Sequence, residues 1–219
     1  MLSSKTKLSD CPCYIYKIQC YKKAEFCYYE KLGEKIKNID DEIPFDIPEQ
    51  WCWVRFRHVF DVRDGTHDTP KYVTRGIPLA TSKNLKQYGL DLSSVKLISE
   101  DDYKTISLRS GVTEGDILFA MIGSIGNPVI ITSCLQKFAI KNMALFKYYN
   151  SNLCANKYLY YFLLFTQEQM RSNASGGVLS FVSLEFLRNY LFPLPSLDEQ
   201  KRIVEQIDTL FKQIQSAKS

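Results

Sequence analysis

The sequence predicts an α/β protein of the α+β type: a mixed, largely antiparallel, β-rich domain with packed helices, followed by a coiled-coil-type helix. Two observations predict this fold class. Between residues 51 and 149, short apolar runs alternate with segments rich in turn-forming residues, as in a mixed or antiparallel sheet. After residue 150, apolar residues recur at helical spacing, and this spacing becomes heptad-like near the C-terminus.

Residues 1–42 are predicted to be a leader of uncertain structure, because they show no clean hydrophobic period. They contain four cysteines, at positions Cys11, Cys13, Cys20 and Cys27. A metal cluster is one interpretation, but the spacing fits no common zinc pattern and no histidine lies near, so free thiols are favoured. Pro44 and Pro48 then hold the backbone extended, which marks a boundary or a strap.

The strands are predicted from Trp51 onward. WCWVRF alternates apolar and polar residues, and RDGTHDTP (63–70) is dense in turn formers. The run GDILFAMIGSIGNPVII (115–131) is β-rich and interrupted by glycines, and FAIKNMALFKYY (138–149) predicts another strand pair.

Two helices are predicted in the following segment. Tyr158, Tyr161, Phe162 and Phe165 stand at i, i+3, i+4 and i+7, which indicates one apolar helical face. After a flexible loop, SNASGGV, Ser183 is placed to cap the short helix LEFLRNY.

The last predicted helix has the clearest signals. Ser196 and Glu199 match an S-x-x-E capping box. Four aliphatic residues then follow at steps of 4, 3 and 4, forming an a/d seam of two heptads: Ile203, Ile207, Leu210 and Ile214. Such a narrow seam favours packing along a partner helix, and docking on the chain's own domain remains the alternative.

The charge distribution indicates a polyanion as a ligand. The chain carries 28 basic and 24 acidic residues, a net charge of +4. However, 69–90 and 117–167 each contain four bases and no acid. A surface built from such segments attracts phosphates without like-charge repulsion. The alternative is that these segments are mainly buried strands with a few solvated lysines.

The sequence carries no convincing catalytic constellation. His67, one of two histidines, has Asp64 and Asp68 nearby, so an acid–base or metal role is conceivable, but local hydrogen bonding is favoured. There is no nucleophile elbow, Walker loop, dinucleotide fingerprint or Asn/Asp-Pro-Pro-aromatic motif. We therefore expect no catalysis, no cofactor and no bound metal.

Export and membrane insertion are also not expected. The apolar runs are shorter than the ~20 residues that span a bilayer, and the N-terminus does not read as a secretory signal. Seven cysteines in such a chain indicate reduced thiols and a cytoplasmic location.

Several motifs in a fixed order resemble one known family. In chain order they are IPFDIPEQWCWVRF, RDGTHDTPKY, GIPLATSKNL, GDILFAMIGSIGNP, FAIKNMALFK, KYLYYFL and LRNYLFPLPSLDEQKRIV, followed by the heptad helix. Together they cover about residues 43–215. The chain thus resembles the specificity subunit of Type I restriction–modification systems, in a half-size form with one target recognition domain.

The resemblance implies a division of labour along the chain. Residues 43–195 would form the target recognition domain, which reads a half-site of double-stranded DNA, and 196–219 the conserved dimerisation and spacer helix. The implied partners are the methyltransferase (modification) subunits, the restriction subunit and a second half-size specificity subunit, or another copy of this chain. A recombination-donor cassette and the recognition module of a fused restriction–methylation enzyme are the alternatives.

Two groups of residues are the candidate contacts. Basic and amide side chains in the acid-free segments suit phosphates and base edges. These DNA-contact candidates are Lys71, Arg75, Ser82, Lys83, Asn84, Lys86, Lys141 and Asn142. The subunit-interface candidates are Gln200, Ile203, Ile207, Leu210 and Ile214.

Overall fold

The computed structural model describes residues 22–24, 27–32, 35–133, 136–149, 152–174 and 180–217. The side chains of the four N-terminal cysteines, and with them the metal-cluster question, lie outside the described part. Most of the loop predicted at 172–178 also lies outside the described residues.

Short strands outnumber helices in the described part of the chain, as predicted. In chain order they are β1 Lys22–Ala24, β2 Cys27–Leu32, β3 Lys35–Asn38, β4 Cys52–Arg55, β5 Phe60–Asp64, β6 Ile77–Ala80, β7 Leu85–Lys86, β8 Gly89–Leu90, β9 Lys96–Ile98, β10 Ile117–Ala120, β11 Gly126–Ile130, β12 Ala139–Ile140, β13 Met143–Tyr148 and β14 Leu191–Leu194. The α-helices are α1 Phe56–Val59, α2 Glu100–Ser110, α3 Asn156–Ser172, α4 Leu184–Asn189 and α5 Leu197–Ser216. No helix among the described residues is long and apolar enough to cross a membrane.

The sheets confirm the mixed, largely antiparallel prediction. One sheet has the antiparallel order β11-β10-β13-β5. A second has the order β12-β6-β9, in which β12 and β6 run parallel. The remaining sheets are β1-β2-β3, β14-β4 and the hairpin β7-β8. FAIKNMALFKYY does form two strands, but β12 and β13 join different sheets rather than pairing with each other.

The described residues divide into two compact units. The first unit contains the chain up to Val59, Tyr149–Tyr158 and the chain from Asn189 onward, and the second contains Phe60–Tyr148 and Leu159–Arg188. Strand pairing between β4 and β14 joins distant segments into the first unit. These units differ from the three ranges predicted from the sequence, 1–42, 43–195 and 196–219. The division of function among those three ranges stays a prediction.

The core of the first unit includes part of the segment predicted as a leader. Trp53 is fully buried and clusters with Tyr28, Ile39 and Leu191. The Phe45 ring meets the Trp53 ring edge-on at a centroid distance of 5.0 Å. Tyr28 and Ile39, from the segment predicted as a leader, therefore pack in this core. Side chains that meet only in three dimensions leave no period in the sequence.

A buried ion pair ties this N-terminal segment to β4. Arg55 is buried, and its guanidinium binds both carboxylate oxygens of Glu30, at 3.1 and 2.9 Å. It also donates to Glu42 at 2.9 Å and to the Asn189 carbonyl oxygen at 2.7 Å. A buried guanidinium needs such partners, because removing it from water without them is costly.

The second unit contains a cluster of ten buried side chains. Its members come from β6, the β7-β8 hairpin, β10–β13 and the segments beside them: Ala80, Leu85, Leu118, Ala120, Val129, Ile131, Phe138, Ile140, Met143 and Leu145. Helix α2 covers a neighbouring cluster through Tyr103 and Ile106.

The hydrophobic period did not predict helix α2, and it predicted the buried face of α3 only in part. A capping signal did mark the start of α2, since the Ser99 hydroxyl accepts a hydrogen bond from the Asp102 amide at 3.0 Å. Tyr158 and Phe162 of α3 are buried as predicted. Leu159 and Leu163 are also fully buried, whereas Phe165 is 71% exposed. The prediction followed the aromatic residues and therefore left out the aliphatic part of the buried face.

Removing Glu30 should destabilise the fold. In Glu30→Ala, Arg55 would keep a buried charge without its bidentate partner, so we expect the free energy of unfolding to fall by about 3 kcal/mol. Urea denaturation measures this loss. Glu42→Ala is the matched control, because that carboxylate is more exposed and should cost less. If both variants lose the same small amount of unfolding free energy, the Glu30–Arg55 ion pair does not stabilise the fold as proposed.

Candidate nucleic-acid interface

Two of the predicted polar loops leave the same end of one strand pair. In the parallel pair, Leu79 lies opposite Ala139 and Ala80 opposite Ile140. Loop L2 (81–84) follows β6 and loop L3 (141–142) follows β12, and the Lys141 amide donates to the Ala80 carbonyl oxygen at 2.9 Å. Because parallel strands end at the same edge, L2 and L3 are neighbours.

A third loop, L1 (65–76), is bound to L3 through backbone hydrogen bonds. The Thr66 amide donates to the Ile140 carbonyl oxygen at 3.0 Å, and the Asn142 amide donates to the Thr66 carbonyl oxygen at 3.1 Å. At Gly65 a Cβ atom would lie 2.3 Å from the Ile140 carbonyl oxygen. Only glycine therefore permits this approach.

Side chains reinforce the junction between L1 and L3. His67 Nε2 lies 2.7 Å from Asp64 Oδ2, and His67 Nδ1 lies 3.1 Å from Asn142 Oδ1. Arg109, from the end of α2, donates to Asp64 Oδ1. Asn142 has a left-handed φ of 55°, which asparagine tolerates better than most residues.

The Asp64 carboxylate is the buried centre of this arrangement. Burial raises its pKa, but the hydrogen bonds and charges of Arg109 and His67 outweigh that effect and lower the pKa below its ordinary value. His67 thus hydrogen-bonds locally, as favoured from the sequence. The described residues also hold no group of three or more potential metal-ligating side chains.

Most of the predicted basic contacts are open to solvent. Lys71, Arg75, Lys83 and Lys86 are exposed, and none of them forms an ion pair with another described residue. Lys71 and Arg75 flank Val73, whose amide donates to the Leu97 carbonyl oxygen in β9. L1 therefore also runs along β9, the edge strand opposite β12 in the β12-β6-β9 sheet.

The amide and hydroxyl candidates are less accessible than the sequence suggested. Asn84 is buried: its Oδ1 accepts from the Thr81 amide at 2.8 Å, and its Nδ2 donates to the Asp91 carbonyl oxygen at 2.9 Å. Ser82 is half-buried, and Lys141 is half-buried and donates to Thr69 Oγ1. Asn84 therefore shapes L2 instead of presenting an amide.

The interface candidates on α5 also fall into two groups. Gln200 is fully buried: its Nε2 donates to the Leu153 carbonyl oxygen at 2.9 Å, and its Oε1 accepts from the Ala155 amide at 2.9 Å. Ile203 and Ile207 are half-buried, whereas Leu210 and Ile214 are 56% and 50% exposed. The start of α5 is thus anchored in its own unit, and the apolar seam opens to solvent further along.

The cap predicted for α5 is present in part. The Glu199 amide donates to the Ser196 hydroxyl at 3.3 Å, as the capping box requires. The Glu199 carboxylate binds Arg202 at 2.6 and 2.8 Å.

Three candidate residues were missed from the sequence. Arg109 lies near Asp64 only because α2 ends beside β5, and no spacing in the sequence shows this. Arg171 and Gln167 of α3 hold the GSIGNP turn, through Arg171 Nε to the Ile125 carbonyl oxygen at 2.5 Å and the Asn127 amide to Gln167 Oε1 at 3.0 Å. Both contacts depend on long-range packing.

Comparison with known proteins gives one family. Residues 48–219 match the family model of the Type I restriction modification DNA specificity domain. The specificity subunit of the EcoAI Type I restriction enzyme of Escherichia coli is 27% identical over 187 residues. The MjaVIII specificity subunit of Methanocaldococcus jannaschii is 22% identical over 180 residues. These matches cover 79% and 75% of this chain, but only 30% and 40% of the two relatives.

Solved structures share the fold. The crystal structure of the HsdS subunit from Thermoanaerobacter tengcongensis superposes with a TM-score of 0.58 at 21% identity, over 79% of this chain and 40% of that chain. A structure describing complex assembly and conformational transition of the type I R-M system gives 0.59 at 21% identity, over 80% and 42%.

Replacing Asp64 should weaken the fold at neutral pH and less so in acid. Because the folded pKa of Asp64 is lowered, its stabilisation is present above the unfolded pKa of about 3.9 and is lost as the pH falls through the folded value. We expect Asp64→Asn to lower the free energy of unfolding by about 2 kcal/mol at pH 7. This difference should shrink below pH ~4.

Urea denaturation over a pH series measures this difference. Asp68→Asn is the control, because it removes an exposed carboxylate from the same loop and should change stability little. A difference between wild type and Asp64→Asn that does not vary with pH would show that Asp64 is not the charged centre of the junction.

Proposed function

The chain belongs to the family of Type I restriction modification DNA specificity domains, and on this basis we propose that it reads a half-site of double-stranded DNA through L1, L2 and L3. One observation carries the proposal: exposed basic side chains without ion partners among the described residues lie on or directly beside loops that converge on one parallel strand pair. The junction of L1 with L3 gives these loops a rigid backbone, which sequence reading requires.

Phosphates and bases would be contacted by different side chains. The exposed lysines and the arginine suit phosphate oxygens, which position the protein without reading sequence. Asn142 keeps its Oδ1 near His67, so it would offer its amide N–H groups to a base-edge acceptor. A bidentate contact with adenine would require that Asn142 release His67.

The second part of the proposal concerns assembly. The exposed half of the α5 seam would pair with a second copy of this chain or another half-size specificity subunit, and with the methyltransferase subunits. A second recognition unit would complete a two-part DNA target, and the restriction subunit would join the assembled complex. The chain itself would act in the cytoplasm without a cofactor and without catalysing a reaction, while its partners methylate or cleave.

Alanine substitutions in the basic residues test the DNA face. Replacing Lys71, Arg75, Lys83, Lys86 or Lys141 should weaken binding to all duplex sequences. Each lost phosphate contact should flatten the slope of log affinity against log salt by about one unit. Fluorescence anisotropy with labelled duplexes gives both quantities.

Lys104→Ala is the control for these variants, because Lys104 is exposed but paired with Asp101 at 3.2 Å. If all five variants keep the wild-type affinity and salt slope, the DNA-binding face lies elsewhere on the molecule.

Charges placed on the exposed seam test the assembly. We expect the double variant Leu210→Asp with Ile214→Asp to lose dimer in analytical ultracentrifugation, or to lose co-purification with methyltransferase subunits, because charged side chains oppose burial. Both side chains are at least half exposed, so the variant should unfold like wild type in urea. Lys212→Asp, on the opposite side of α5, is the control. Unchanged assembly of the double variant would exclude this seam as the interface.

A further inference from the structure

The β7-β8 hairpin projects from the end of L2. Leu85 pairs with Leu90 and Lys86 with Gly89, which leaves Gln87 and Tyr88 as the two-residue turn. L2 itself follows β6, so the hairpin grows out of the same strand end that carries L2 and L3.

The base of this hairpin is held rigidly. The Asp91 amide donates to the Asn84 carbonyl oxygen at 2.9 Å, and Asn84 Nδ2 donates to the Asp91 carbonyl oxygen at 2.9 Å. Leu85 is buried in the main core of the second unit, and Leu90 packs against it. The hairpin also lies against β10 and β11. The turn is therefore presented on a fixed support.

The tip of the hairpin carries an exposed aromatic ring, so burial of this ring contributes little to stability. Tyr88 is 80% exposed, and among the described residues its hydroxyl donates only to Asp91 Oδ2, at 3.3 Å. Lys83 and Lys86 lie close by in the chain, and both are exposed without ion partners among the described residues. Asp91 is the nearest acid in sequence, and its other oxygen accepts from the Ser93 amide and hydroxyl, at 2.9 and 2.6 Å.

We propose that Tyr88 stacks on the face of a DNA base at a step where the duplex is opened, while the lysines beside it bind phosphates. The inference rests on the proposed DNA-reading function and adds to it a residue that contacts bases through its ring. Aromatic rings stack on any base, because every base has a π-face. A rigid, cationic hairpin with one outward ring is suited to this contact.

Two labelled duplexes test the inference: one is fully paired and of random sequence, and the other is identical but carries one unpaired adenine. The wild-type chain should prefer the duplex with the unpaired base by roughly 5- to 150-fold, since base–aromatic stacking is worth about 1–3 kcal/mol. Tyr88→Ala should bind both duplexes equally, with the salt slope unchanged. Tyr88→Phe should keep the preference, because it keeps the ring.

Two matched variants separate stacking from other effects. Lys86→Ala should weaken binding to both duplexes and flatten the salt slope while the preference for the unpaired base remains. Leu108→Ala removes another outward apolar side chain, 88% exposed on α2, and should change neither affinity nor preference.

Three results would contradict the stacking role of Tyr88, and each has a different meaning. If Tyr88→Ala keeps the wild-type preference, the stacking role is excluded while the DNA-reading function stands. If Tyr88→Ala binds DNA normally but loses the methyltransferase subunits, the ring serves a protein contact and the inference is wrong. If the wild-type chain binds neither duplex, the proposed function and this inference fail together.

Discussion

The backbone contact between L1 and the end of β12 is the constraint on which the candidate interface depends. Gly65 and Thr66 lie so close to the Ile140 carbonyl oxygen that no side chain fits at position 65. That approach places His67 within reach of Asn142, and the parallel β6-β12 pair brings L2 beside them. Loops far apart in sequence thus share one rigid edge, which a surface that reads DNA sequence needs.

The charged side chains of the second unit fall into two groups: buried ones that are paired within the fold, and exposed ones that can bind a ligand. Asp64 is buried and satisfied by Arg109 and His67, and Asp116 is buried beside Lys147 at 2.6 Å. These carboxylates hold the scaffold together and have partners for their charge. The exposed lysines of L2 and the hairpin form no ion pair with a described residue. Their charge therefore stays available for a polyanion.

Helix α5 combines an anchor with an open surface. Gln200 fixes the first turn through buried hydrogen bonds, and the Lys157–Asp208 ion pair at 2.8 Å adds a contact further along. Beyond that point the apolar residues become exposed. Docking on its own unit therefore describes the first half of the helix, and pairing with a partner is proposed only for the exposed half. Because the start of α5 is fixed by these contacts, the exposed second half of the helix keeps a defined direction.

The family, the largely antiparallel fold class, the serine N-caps of α4 and α5 and the acid-free segments follow from the sequence alone, because they depend on local periods, turn residues and motif order. The sequence did not reveal α2, the aliphatic part of the buried face of α3 or the packing of Tyr28 with Trp53. It also gave Asn84 and Gln200 roles at binding surfaces, although both amides are buried. These points became clear from the three-dimensional fold, because burial and long-range hydrogen bonds depend on which segments meet in space, and that information is absent from residue spacing.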